Sequence, residues 1–209
     1  YNCQELLTWV KPKSVNTVYN AVDMPAFSLI RHATRPRKVL TVGIIGSFIS
    51  KCKGHYRFLE VAGRLPEFEF VLIGRALDST VEQLKSISPD NVKILGYGCR
   101  NQLLCQMLSS SVYLQLSYYE SFGVSVAEAI VCGCYPIVSK ETALPEICCG
   151  MGDFLDVSDL DSVASSVKLA IQEEKHKLID PGAVRDLFSV EKREEKLMEI
   201  INHACKEET

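Results

Sequence analysis

An alternation that begins at residue 39 constrains the fold more than any other feature of the chain. Short apolar runs of strand length, three of them closing on glycine, are separated by stretches with helical spacing. "VLTVGIIG" (39–46), "FEFVLIG" (68–74), "VKILG" (92–96), "VYLQLS" (112–117) and "YPIVS" (135–139) are apolar on both faces, as strands covered on both sides by helices must be. Between them the spacing predicts helices over 54–65, 79–87, 101–111 and 122–133, with others over 160–173 and 189–205. Phe58, Leu59, Ala62 and Leu65 share one face of the first helix, and Asn101 reads as the N-cap of the third. Strands alternating with helices of this length imply βαβ units, hence an α/β, doubly wound, Rossmann-like parallel sheet. Residues 1–38 stand outside the pattern: "TVYNAVDMPAF" reads as a strand and turn, and "RHATRPRK" as a basic connector. The expected organisation is a lead-in and interdomain connector (1–38), a Rossmann-like domain (39–188) and a closing amphipathic helix (189–209).

Charge and cysteine content exclude several classes. A net charge of −3 gives no basic footprint for nucleic acid, and no apolar run approaches the roughly 18 residues of a membrane span. Nine cysteines (Cys3, Cys52, Cys99, Cys105, Cys132, Cys134, Cys148, Cys149 and Cys205) include no C-x-x-C, and no Cys/His spacing suits zinc. They read as reduced and mostly core, in a cytoplasmic protein with no metal site. His32, His55, His176 and His203 read as surface residues, and "DLD" (159–161) as a helix cap rather than a metal motif.

In an open α/β sheet, ligands bind beyond the carboxyl ends of the strands, where glycine admits close approach and helix N-termini attract anions. Gly46-Ser47, Gly74-Arg75, Gly96-Tyr97 and Ser117 fall at that edge, together with Lys51, Lys53 and Glu120. The chemistry there suits a small anionic ligand such as a phosphate. Glu120 and Glu128 lie in the otherwise apolar "YYESFGVSVAEAIVCGCYPIV" (118–138), where a carboxylate needs a partner or water. For Glu128 two accounts stand: a capping box with Ser125, or acceptance of ligand hydroxyls if the helix starts near Phe122.

The stretch "ESFGVSVAEAIVCGCYPIV" resembles the signature of retaining glycosyltransferases of family 4, in the GT-B superfamily. Glu120, Phe122, Gly123, Glu128, Ala129, Gly133 and Pro136 carry the likeness. "VYNAVD" (18–23), "KG" (53–54), "LGY" (95–97), "ALPEI" (143–147) and "FSVEKREEKL" (188–197) are similar to further elements in the same order. The resemblance implies the carboxy-terminal, donor-binding half of a GT-B enzyme that moves a sugar from a nucleoside-diphosphate sugar with retention, without metal or other cofactor. It implies that Glu128 holds the ribose hydroxyls and Glu120 faces the sugar. The amides of Phe122, Gly123 and Val124 would contact sugar or phosphate, and Lys53 would neutralise the diphosphate. Gly46, Ser47, Arg75 and Tyr97 complete the expected binding set. The implied partner is an amino-terminal acceptor-binding domain or subunit, to which any peripheral membrane contact would belong. The family's arginine after the first strand is replaced here by Ser47. That departure motivates the alternative of a non-catalytic binding or assembly module with a degenerate phosphate site.

Overall fold

The computed structural model describes residues 15–24 and 35–207; Cys3, His32 and the first half of the basic connector lie outside them. Six strands, β1 (Lys38–Val42), β2 (Glu69–Gly74), β3 (Val92–Gly96), β4 (Val112–Gln115), β5 (Tyr135–Ser139) and β6 (Asp153–Leu155), form one sheet. All neighbours pair in parallel, in the order β3-β2-β1-β4-β5-β6. The connectivity therefore reverses between β1 and β4, which opens a crevice at their carboxyl ends. Val39, Leu40, Phe70, Leu72, Val112, Leu114, Ile137 and Val138 are fully buried, as their unbroken apolar runs require.

The helices are α1 (Ser47–Lys53), α2 (His55–Arg64), α3 (Thr80–Ile87), α4 (Arg100–Leu108), α5 (Val124–Val131), α6 (Leu144–Ile147), α7 (Leu160–Gln172), α8 (Pro181–Leu187) and α9 (Val190–Glu207). The helix expected over 54–65 forms as α2, and a further short helix, α1, precedes it, separated from it at Gly54. This glycine has φ +79°, and a Cβ on it would lie 2.1 Å from the Leu116 carbonyl oxygen. β1 ends four residues early because Gly43 and Gly46 interrupt it, although the Ile45 N–H still reaches the Arg75 carbonyl at 3.0 Å. Residues 17–24, expected to begin a strand, have no regular structure. Their apolar members Val22 and Met24 are buried, and the Val22 N–H bonds the Phe188 carbonyl at 2.7 Å rather than pairing with a strand.

Caps explain other differences. α4 starts at Arg100 with Cys99 as N-cap and the Gln102 side chain accepting from the Cys99 N–H at 3.2 Å, so Asn101 lies inside the helix. Asp159 caps α7 as expected, accepting from the Ser162 N–H at 3.0 Å. Two histidines expected at the surface are buried: His55 and His176. His55 precedes Phe58 and Leu59 by three and four residues and so shares their inward face. Its Nδ1 meets the Ser50 hydroxyl at 3.1 Å. Burial, reinforced by the charge of Lys53, pushes its pKa down to about 4. All eight described cysteines are free; only Cys132, Cys134 and Cys148 are buried, and Cys99, Cys105 and Cys205 are exposed, fewer in the core than expected. Among the described residues no helix is long and apolar enough to cross a membrane.

Candidate functional site

The crevice between β1 and β4 holds a cavity of about 750 Å³, a size that suits a small-molecule ligand. Its floor is backbone at Gly43 and Gly74, where the strands end. β4 leads into the loop that carries Glu120, Ser121 and Phe122, and Gly123 then turns the chain into α5. Gly123 is the N-cap with φ +96°, and no side chain caps the helix. A Cβ on Gly123 would lie 2.5 Å from the Leu144 side chain, and the positive φ would strain any other residue there. The first amides of α5 are thus presented at the cavity rim. Ser125 lies inside the first turn, which removes the capping-box account of Glu128.

Two ion pairs span the cavity. Lys53, at the last position of α1, meets Glu120 at 2.5 Å. Arg100, at the first position of α4, meets Glu128 at 2.8 Å. Both carboxylates are nearly sequestered, with side chains 13% and 10% exposed, whereas Lys53 and Arg100 are 29% and 49% exposed. In each pair the cation is therefore the more exposed partner. Glu128 sits on a helix whose neighbours Val126, Ala127, Ala129, Ile130 and Val131 are all buried, so Arg100 is the cation that compensates its charge. Behind the site, the Arg57 Nε donates to the Leu116 carbonyl at 3.2 Å while its guanidinium lies 3.6 Å from the Tyr118 ring centroid. Arg57 thus braces the strand end that leads to Glu120.

Of the residues singled out from the sequence, Lys53, Arg75, Tyr97, Glu120, Phe122, Gly123, Val124 and Glu128 line this one cavity. Gly46 and Ser47 do not. They begin α1, and the Ser47 N–H is bonded to the Asp78 carboxylate at 3.0 Å. Asp78 also accepts from the Thr80 N–H at 2.9 Å, and its bonds to Thr80 and Ser47 lower its pKa. An acidic side chain therefore already occupies the position where Ser47 would face a phosphate. Lys53, not Lys51, lines the cavity. Sequence reasoning missed Arg100 and Asn20. Arg100 left a signal: a cation on the first turn of a helix opposes the helix dipole, and such placements call for another explanation.

The comparisons with known proteins agree with this architecture. The family described as glycosyl transferases group 1 matches residues 29–179. The chain is 27% identical over 157 residues to the phosphatidylinositol N-acetylglucosaminyltransferase gpi3 subunit of Schizosaccharomyces pombe, over 70% of this chain and 34% of that protein. It is 28% identical over 83 residues to O-antigen chain mannosyltransferase B of Escherichia coli, over 40% of this chain and 22% of that protein. Among solved structures, a lipopolysaccharide outer core galactosyltransferase superposes with TM-score 0.72 at 18% identity, over 90% of this chain and 56% of that one. An S. aureus TarM mutant in complex with fondaparinux, alpha-GlcNAc-glycerol and UDP gives 0.70 at 12% identity, over 95% and 42%. The alignments to these two curated relatives span about a third of their length or less, and the solved neighbours show the fold. On the match over residues 29–179, the chain belongs to the glycosyl transferases group 1 family.

Proposed function

We propose that this chain is the donor-binding domain of a retaining glycosyltransferase, transferring a sugar from a nucleoside-diphosphate sugar to an acceptor held by an amino-terminal domain or subunit. The observation that carries the reading is the pairing of each largely covered carboxylate with a more exposed cation around one cavity at the β1–β4 crevice. A nucleotide-sugar has complementary parts: a diphosphate to engage Lys53, and sugar and ribose hydroxyls to engage the carboxylates. In this reading Lys53 moves from Glu120 to the diphosphate, and the amides of Gly123 and Val124 at the α5 N-terminus take a phosphate oxygen. Glu120 receives hydroxyls of the transferred sugar, and Glu128 those of the ribose. Arg75 and Tyr97 flank the nucleotide end.

The demanding step is departure of the diphosphate, because negative charge grows on its oxygen as the bond to the anomeric carbon breaks. Lys53 and the helix N-terminus stabilise that charge, so the reading assigns no metal. The acceptor hydroxyl adds to the anomeric carbon on the face the phosphate leaves, and its proton passes to the departing phosphate oxygen. Configuration is thereby retained with no enzyme nucleophile, and Glu120 and Glu128 act as ligand contacts rather than an acid–base pair. UDP, GDP and ADP are the first ligands to try, UDP because the TarM neighbour was solved with it. One of them is expected to raise the melting temperature, and Glu128→Ala to abolish the rise. Absence of a shift with all three overturns the reading.

A second reading, a non-catalytic nucleotide-sugar-binding module, is favoured by one observation: Asp78 occupies the N-terminus of α1, where Ser47 stands in place of the expected arginine. Nucleotide binding without transfer by the full-length protein would select it.

A further inference from the structure

Arg100 is set against its own helix. It stands at the first position of α4, where the helix dipole repels a cation, and the first turn contains no acidic residue to offset it. Its guanidinium makes a fork instead. Nη1 donates to Glu128 Oε1 at 2.8 Å, while Nη2 donates to the Asp23 carbonyl at 3.0 Å and lies 3.3 Å from Met24 Sδ. One side chain thus joins α4, α5 and the lead-in segment. Glu128 is only 7% exposed yet lines the cavity, and among the described residues no hydrogen bond reaches its Oε2.

We propose that Arg100 is the positioning residue that makes the site selective for ribonucleotides: it fixes Glu128 through Oε1, leaves Oε2 to the ribose hydroxyls, and takes its own bearing from the Asp23 carbonyl. The proposal rests on the donor-site reading above, which gives Glu128 the ribose. A carboxylate this deep cannot keep its place without a cation, because an unpaired buried charge is strongly disfavoured. Without Arg100, Glu128 swings toward water and no longer receives the hydroxyls. Lys53 and the α5 N-terminus are untouched, so phosphate binding survives. The signature is a loss confined to nucleotides that carry ribose hydroxyls, which a general loosening of the fold cannot produce.

The test is calorimetric titration of the purified chain with UDP, GDP and ADP, followed by comparison of the tightest with its 2′,3′-dideoxy analogue. Wild type is expected to prefer the ribonucleotide by about 10- to 100-fold, the range for hydrogen bonds to a charged group. Arg100→Gln is expected to reduce that preference to about threefold or less while leaving the dideoxy affinity unchanged. Arg100→Lys, which restores the charge but not the fork, recovers part of the preference. If Arg100→Gln lacks a native melting transition, Arg100→Lys decides by the same ratio. A variant that keeps the full preference, or weakens both nucleotides alike, overturns the proposal. So does a wild type that binds both forms equally. A wild type that binds none of the three nucleotides removes the donor-site reading itself, a distinct outcome.

Discussion

The two edges of the sheet use charge in opposite ways, and α4 shows both. At the amino edge, the Lys38 ammonium donates to Gln106 Oε1 at 3.0 Å and to the hydroxyl of Ser109, the C-cap of α4. Beside it, buried Arg35 donates to the Ser110 carbonyl at 2.7 Å and to the carbonyl of Cys132, the C-cap of α5, at 2.6 Å. Both cations face the negative ends of helices and are engaged by the protein, so local and global preferences agree. At the carboxyl edge, Arg100 faces the positive end of the same α4, and two carboxylates are nearly buried around an open cavity. Charge engaged by the protein's own carbonyls and hydroxyls holds the fold together, whereas carboxylate–cation pairs left around an open cavity, one of them with Arg100 set against its own helix dipole, point to a ligand. Cysteine chemistry follows the same division: burial raises Cys132 and lifts Cys134 to about 11, which keeps the amino-edge thiols protonated and unreactive.

If this division is right, Arg35→Met should give the largest effect on stability and none on binding. It strands the Ser110 and Cys132 carbonyls in the interior, and the expected loss is about 2–4 kcal/mol, read as a lower denaturation midpoint. The folded fraction should bind nucleotide with unchanged affinity; a tenfold loss of affinity would break the comparison. The converse is the pair Lys53→Met with Glu120→Gln at the carboxyl edge. Removing both charges leaves neither one buried alone, so the melting temperature without ligand should hold or rise slightly. Nucleotide affinity should fall about 30-fold, equivalent to about 2 kcal/mol, measured by titration. A chain destabilised as much as the Arg35 variant would show that this pair serves the fold.

The same division describes what the sequence discloses. The parallel sheet was legible because each strand is a short apolar run and each helix a periodic one, and packing reinforces both signals. Glu120 and Glu128 were legible because a carboxylate in an apolar run contradicts its surroundings. The short helix α1 was hidden: it is set off from α2 by Gly54, whose place depends on a close approach to Leu116, distant in sequence, and only the run from Gly54 to Leu65 read as a helix. Ser47 misled because a residue after a strand-ending glycine reads as phosphate edge, while Asp78, which fills that place, lies in a loop 31 residues away. The burial of His55 and the role of Arg100 were legible in principle, the first from the face shared with Phe58 and the second from its conflict with the helix dipole.

His55 tests the boundary between the two kinds of region, because it belongs to the fold yet lies directly beneath the cavity floor. Among the described residues its Nε2 has no hydrogen-bond partner, and a Cβ on Gly43 would lie 2.9 Å from it, so the ring is wedged under the residue that lines the site. Its folded pKa of about 4 lies below the ordinary 6.5, so between those values the unfolded chain binds a proton that the folded chain refuses. Stability from this group is therefore fully present above pH 6.5 and declines as pH falls toward 4. At pH 5.5 the decline amounts to about 1.2 kcal/mol relative to pH 7. His55→Gln keeps a partner for Ser50 and cannot titrate, so the stability difference between wild type and variant should shrink by that amount between pH 7 and 5.5, read from urea midpoints at each pH. A constant difference would mean that the imidazole takes up a proton in the folded state. Nucleotide affinity of the wild type should stay level between pH 6.5 and 7.5, because in that range His55 is neutral in the fold. An affinity that rises on acidification and levels off in His55→Gln would instead make this ring part of the ligand site, and would move the boundary between the two regions one layer deeper into the protein.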